Sequence, residues 1–142
     1  MVMNYWLKSS ATLHVGDNVV RLVIGNDFGK LYQSFVNKHY RLFTHSPAHG
    51  VHVTLWNPKI HGVIPKEKAD FLKTFYKNKK INFEYDPSII QGGQNKTFKN
   101  WYMRVKSTTA ETICKYLGND QYKHLHVTIC NTKQSIRPYI WY

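Results

Sequence analysis

The chain has 142 residues, enough to bury one hydrophobic core, and its 42% apolar content excludes an intrinsically disordered protein. Twenty Lys and Arg stand against eight Asp and Glu, and the formal charge of +12 draws in polyanions. No apolar run is long enough to cross a bilayer, and two cysteines, Cys114 and Cys130, make no disulfide framework.

The opening stretch MVMNYWLKSSATLHV lacks the charged start and apolar centre of a secretory signal, so a cytoplasmic protein with reduced thiols is expected. VVRLVI (19–24) is β-branched and reads as a strand. NDFGKLYQSFVNKHY (26–40) places Phe28, Leu31, Tyr32, Phe35, Val36 and His39 at helical spacing, with Asn26 or Asp27 as the cap and Gly29 as a weak point. SPAHG (46–50) is loop chemistry, VHVTLW (51–56) is a strand, and 57–62 is a second loop. Pro65 opens a helix whose face is Ala69, Leu72, Phe75 and Tyr76. INFEY (81–85) alternates as a strand, and 86–100 is a long loop carrying Gly92, Gly93, Lys96 and Lys99. WYMRV (101–105) is a strand. In TTAETICKYLG, Thr108 and Glu111 make a capping box, Ala110, Ile113, Cys114 and Leu117 make the buried stripe, and Gly118 ends the helix. HLHVTIC (124–130) is the last clear strand, followed by an aromatic tail.

VHVTLW and LHVTIC repeat one phrase. Two His-Val-Thr triplets arise in a shuffled chain of this composition on the order of once in a thousand. Each copy ends a strand–helix–strand run, so the chain reads as a single domain over 1–142 built from two related halves, about 1–62 and 81–142. Alternation in a strand puts His52 and Thr54 on one face, with Val51, Val53 and Leu55 on the other. It does the same for His126 and Thr128 against Leu125, Val127 and Ile129. By the same rule Trp56 shares the His52 face and could stack on a base, and His124 shares the His126 face. If a two-fold axis relates the halves, the pairs converge on one cleft.

Two imidazoles across a cleft can serve as general base and general acid near neutral pH. Two threonine hydroxyls can hold non-bridging phosphate oxygens. Phosphodiester cleavage needs that set, and ten Tyr, seven Phe and four Trp on a basic chain suit nucleotides. A lone strand histidine is usually structural; the duplication is what raises these four residues above that reading. Trp101, Tyr139 and Trp141 read first as core or rim. His14, His39, His45, His49 and His61 carry no pattern, and Lys96 and Lys99 read as a solvated loop. A zinc site on His124 and His126 is the weaker account, because there is no CxxC, no HExxH and few acids.

At HVTL (52–55) and HVTI (126–129) the chain resembles the 2H phosphoesterase superfamily, named for two H-x-T/S-x motifs, and the likeness spans most of the chain through the duplicated layout. The resemblance implies an α+β fold of two pseudo-symmetric lobes of antiparallel sheet, with helices packed outside and a central cleft. It implies chemistry without metal or cofactor on 2′,3′-cyclic phosphates, 2′,5′ linkages or cyclic nucleotides. His52 and His126 would be the acid–base pair, and Thr54 and Thr128 the phosphate binders. The small size and compact loops are similar to phage-type members, including anti-CBASS nucleases that degrade the cyclic nucleotide alarms of bacterial defence. Tyr139 and Trp141 are compatible with base stacking there. The expected partner is thus a cyclic nucleotide or oligonucleotide, acted on in the cytoplasm (a host's, if the chain is phage-encoded), with no membrane and no obligatory protein partner. The alternatives are an RNA-processing phosphodiesterase for 2′,3′-cyclic or 2′,5′ linkages, and a basic domain that binds RNA or nucleotides without cleaving them.

Overall fold

A computed structural model describes residues 5–93 and 99–132. Tyr139, Trp141 and Lys96 lie outside them. The fold is α+β. Among the described residues seven strands form one antiparallel sheet, and four helices follow or separate them. In chain order the elements are β1 (Leu7–Gly16), β2 (Val19–Val23), α1 (Asn26–Tyr40), β3 (His52–Trp56), α2 (Pro58–His61), α3 (Lys66–Phe75), β4 (Lys80–Tyr85), β5 (Ile90–Gly92), β6 (Asn100–Lys106), α4 (Thr108–Leu117) and β7 (His126–Asn131). A 3₁₀ turn at Tyr122–His124 precedes β7.

The strand order is β4-β1-β2-β3-β7-β6-β5, and β4 also pairs with β6 through Glu84 opposite Lys106 and Tyr85 opposite Val105. Those two rungs close six strands into a barrel. The central four strands, β2-β3-β7-β6, bring together the units β2–α1–β3 and β6–α4–β7, with the two His-Val-Thr strands as direct neighbours.

One face of the sheet is apolar and carries the helices. Leu22, Val53, Leu55, Met103, Val127 and Ile129 are fully buried there with Val36 of α1, Leu72 of α3 and Ile113 of α4. Removing that area from water is the main driving force for the fold. Helix α1 approaches β3 closely: a Cβ on Gly29 would overlap Cγ2 of Val51. Gly29 is thus a packing position and not merely a poor helix former. Tyr32 of α1 and Tyr85 of β4 share a buried hydroxyl–hydroxyl bond of 2.7 Å.

Several local expectations change. The ten-residue β1 was not legible, because its inward positions include Ser9 and Ala11, which give a weak apolar alternation. The 86–100 loop contains β5, which continues the β4 edge along β6. The 57–62 loop contains the short helix α2, capped by Asn57, whose Oδ1 accepts from Lys59 N. On α1 the buried stripe is Gly29, Tyr32 and Val36; Leu31, Phe35 and His39 are exposed, and Gly25 holds the cap position without a side-chain bond. On α3 only Leu72 is buried, and Phe75 stands out in solvent. The α4 cap is Ser107, one residue before Thr108: its Oγ accepts from Ala110 N and donates to Asn82 O, so the Thr108–Glu111 box does not form. The α4 stripe and the Gly118 stop stand as read, and Trp101 is fully buried core.

Candidate active site

The pairing of β3 with β7 sets Val53 opposite Val127. Continuing that antiparallel register puts Thr54 beside His126 and His52 beside Thr128. All four side chains share the face opposite the core. Opposed Cβ atoms in such a ladder lie about 5 Å apart, and His52 and His126 are diagonal neighbours, a relation in which residues lie about 7–8 Å apart. They are close enough that charge on His126 acts on His52.

The flanking strands extend this cluster into two rows. Arg21 of β2 is opposite Thr54, and Arg104 of β6 is opposite His126. Val23 of β2 is opposite His52, and Tyr102 of β6 is opposite Thr128. One row therefore runs Arg21–Thr54–His126–Arg104, and the other Val23–His52–Thr128–Tyr102. The Tyr102 ring meets His126 edge-on at 5.5 Å.

Each His-Val-Thr strand also carries a bulge at the same place. The register against β2 shifts between Val20 and Arg21, leaving Leu55 as the extra residue of β3. The register against β6 shifts between Trp101 and Tyr102, leaving Ile129 as the extra residue of β7. Both follow their histidine by three positions. A bulged residue loses its ladder partner. The Leu55 carbonyl is instead satisfied by the buried Asn119, whose Nδ2 donates to it at 2.7 Å.

The bulge explains where period-two reading fails. After it the faces swap, so Leu55 and Trp56 are both buried, as are Ile129 and Cys130. Trp56 is 6% exposed; its Nε1 donates to Gly62 O, and its ring lies 4.7 Å from that of His61. It reaches the site as part of a cavity wall. His124 is not on the β7 face, since the strand begins at His126. It sits in the 3₁₀ turn, and its carbonyl faces His126 Nδ1 at 3.5 Å. Lys99 is held by its backbone, with N donating to Thr132 Oγ1.

Two cavities lie at the histidines, one beside each ring. One, about 540 Å³, is lined by His52, Thr54, Arg21 and His49, with an apolar wall of Trp56, Pro58 and Ile60. The other, about 760 Å³, is lined by His126, His124, Tyr102, Arg104, Lys106 and Trp6. Arg21, His49, Tyr102 and Arg104 were not singled out from the sequence. Arg21 had a signal, as the one charged residue inside the otherwise apolar VVRLVI. His49 had none, because a loop position becomes a cavity wall only once the chain is folded.

The two imidazoles are oriented alike and solvated differently. His52 Nδ1 lies 2.8 Å from Gly50 O. A carbonyl only accepts, so Nδ1 carries the proton and Nε2 of the neutral ring keeps a free lone pair. Burial holds His52 below the usual histidine range; the Gly50 bond opposes this, and the neighbouring charges of Arg21, His49 and His126 add to it. His126 is exposed. The cysteines are inert: burial raises Cys114 to about 11 and pushes Cys130 up as well.

Among the described residues no group of three or more His, Cys, Asp or Glu is placed to hold a metal ion, so His124 and His126 have no third ligand there. No helix among them is long and apolar enough to cross a membrane. Comparison of the chain with protein-family models, with curated proteins and with solved structures finds no match.

Proposed function

We propose that the chain is a phosphodiesterase of the 2H type that cleaves a nucleotide phosphodiester, in a cyclic nucleotide or cyclic oligonucleotide, by two-histidine acid–base catalysis without a metal. The observation that carries this reading is the juxtaposition of His52, Thr54, His126 and Thr128 on one face of adjacent strands. On this reading the units β2–α1–β3 and β6–α4–β7 are the two lobes of the 2H fold, and the cavities on either side of the β3–β7 pair are its cleft.

The chemistry then follows from the ring states. Neutral His52 takes a proton at Nε2 from a water molecule as the water oxygen attacks phosphorus. The bond from phosphorus to the leaving ribose oxygen breaks. That oxygen takes the proton from Nε2 of protonated His126, and solvent exchange restores both rings. Thr54 and Thr128 donate hydrogen bonds to the non-bridging oxygens and hold the group in line with the attack. The apolar wall of Trp56, Pro58 and Ile60 gives a base a surface to lie on, and Arg104 and Lys106 give further phosphates a cationic wall. Cyclic nucleotide signals of bacterial anti-phage defence fit that pair of surfaces.

The test is direct. The protein is incubated with a panel of cyclic mononucleotides, cyclic di- and trinucleotides, and RNA ending in a 2′,3′-cyclic phosphate, with and without a chelator. Products are resolved by chromatography. Cleavage of at least one member, unaffected by the chelator and abolished in His52→Ala and His126→Ala, is expected. Tight, salt-sensitive binding with no product from any member would make the chain a binding module and end the proposal.

A further inference from the structure

A guanidinium N–H shut off from solvent without an acceptor is costly, and the fold holds one beside the histidines. Arg21 sits on β2 opposite Thr54 and lines the cavity of His52 and Thr54. Its Nε is shut off from solvent, and among the described residues no hydrogen-bond acceptor meets it. A burial that leaves a charged donor unsatisfied opposes folding unless a ligand completes it. The position also breaks the symmetry of the site. The residue that stands to Thr128 as Arg21 stands to Thr54 is Tyr102, so only Thr54 has a cation opposite it on its outer side, while Arg104 stands opposite His126. A guanidinium offers two parallel N–H donors that match two oxygens of a phosphoryl group, which a threonine hydroxyl cannot do.

We propose that Arg21 is a third phosphate-binding group of this site, its N–H fork clamping the non-bridging oxygens that Thr54 and Thr128 also hold. This rests on the reading of the cluster as a phosphate seat. The Arg21 side chain is half-buried and lines the cavity, so its terminal nitrogens are within reach of a ligand there. Arg21 thereby places the dianionic character of the transition state on the His52 side, where the base carries the positive charge after it has taken the proton.

Inorganic phosphate is the probe, because it needs no turnover. It is titrated into ¹⁵N-labelled protein while the imidazole signals of His52 and His126 are followed. A saturable response of both rings is expected in the wild type. Arg21→Gln should weaken phosphate roughly tenfold or more, as befits the loss of a charged hydrogen bond. Lys38→Gln, the same charge change on exposed α1 at the helix-covered side of the sheet, should leave affinity within about twofold, since screened surface charge contributes little. Should Arg21→Gln fail to fold, Arg21→Lys keeps the charge without the fork and should bind with intermediate affinity. No saturable response in the wild type overturns the proposal, as does wild-type affinity in Arg21→Gln or Arg21→Lys, or an equal loss in Lys38→Gln. Phosphate binding through Arg21 without any phosphodiester turnover would sink the proposed reaction and leave this assignment standing. Turnover with unchanged phosphate affinity in Arg21→Gln would do the reverse.

Discussion

The two copies of the His-Val-Thr phrase share a backbone and differ in what surrounds the ring. Each is a strand of the same antiparallel pair, each has a bulge three positions after its histidine, and each histidine turns Nδ1 to the carbonyl two residues before it. The first copy is entered from a loop through Gly50, in the left-handed region at φ 76°, and its Nδ1–O distance is 2.8 Å. The second is entered from a 3₁₀ turn, and the distance is 3.5 Å. His52 is half-buried beside Arg21 and His49, whereas His126 is exposed beside Tyr102. Identical triplets thus sit in different surroundings: burial, with Arg21 and His49 alongside, lowers His52 against the opposing bond to Gly50 O. A lowered His52 suits the base of the proposed reaction, which leaves the part of acid to His126.

The largest expected effects lie at the two rings. His52→Ala and His126→Ala should each lower turnover about a thousandfold, with thermal melts close to wild type. The double variant should be little worse than either single, because the two groups act in one step. Turnover that survives in the double variant removes the paired-histidine account. Thr54→Ala and Thr128→Ala come next, each costing roughly tenfold to a hundredfold in kcat/KM. A large effect at one threonine and none at the other would show that only one copy touches phosphate.

Asn119→Ala probes the anchored bulge of β3. It leaves the buried Leu55 carbonyl with only the weak Cys114 thiol donor at 3.8 Å, and should cost about 1–3 kcal/mol of stability by chemical denaturation. Loss of stability with normal chemistry in the remaining folded fraction is expected. Unchanged stability would mean that the carbonyl finds another partner.

The smallest effect is on pH. Folded His52 titrates below the unfolded value of about 6.5, so between the two the unfolded chain binds a proton that the native chain does not. The contribution of His52 is therefore full above pH ~6.5, falls as pH drops through that value, and is lost below its folded pKa. Denaturation midpoints measured from pH 7.5 to pH 5 should fall more in wild type than in His52→Gln. The acid limb of the rate profile should likewise lie below pH ~6.5. Imidazole signals that place His52 above His126 would reverse the assignment of base and acid.

How much of this was legible follows from which interactions are local. The phrase itself, the α1 span and the α4 stripe depend on short-range periodicity and stand in the sequence. Period two also assigns His52, Thr54, His126 and Thr128 to their faces correctly. It fails at Trp56, because a bulge is written by pairing with β2 and not by β3 alone. It fails at His124, because a turn ends where the sequence reads as strand. Arg21, Tyr102 and Arg104 join the site only through register, which couples residues more than 20 positions apart: Arg21 with Thr54, Tyr102 with Thr128 and Arg104 with His126. The α1 stripe was read too wide, since a helix on a curled sheet buries one narrow ridge and leaves Leu31 and Phe35 outside.

Gly29 carries a last consequence. In an ordinary exposed helix, glycine to alanine is a favoured stabilising exchange, worth up to about 1 kcal/mol. Here the added methyl would strike Val51, the residue whose backbone leads directly into His52. A mutational survey would file this position under folding, far from chemistry. Yet Gly29→Ala should shift the approach to the base and dull catalysis in molecules that remain folded, so the spacer of the helix is also a gauge for the nitrogen it never touches.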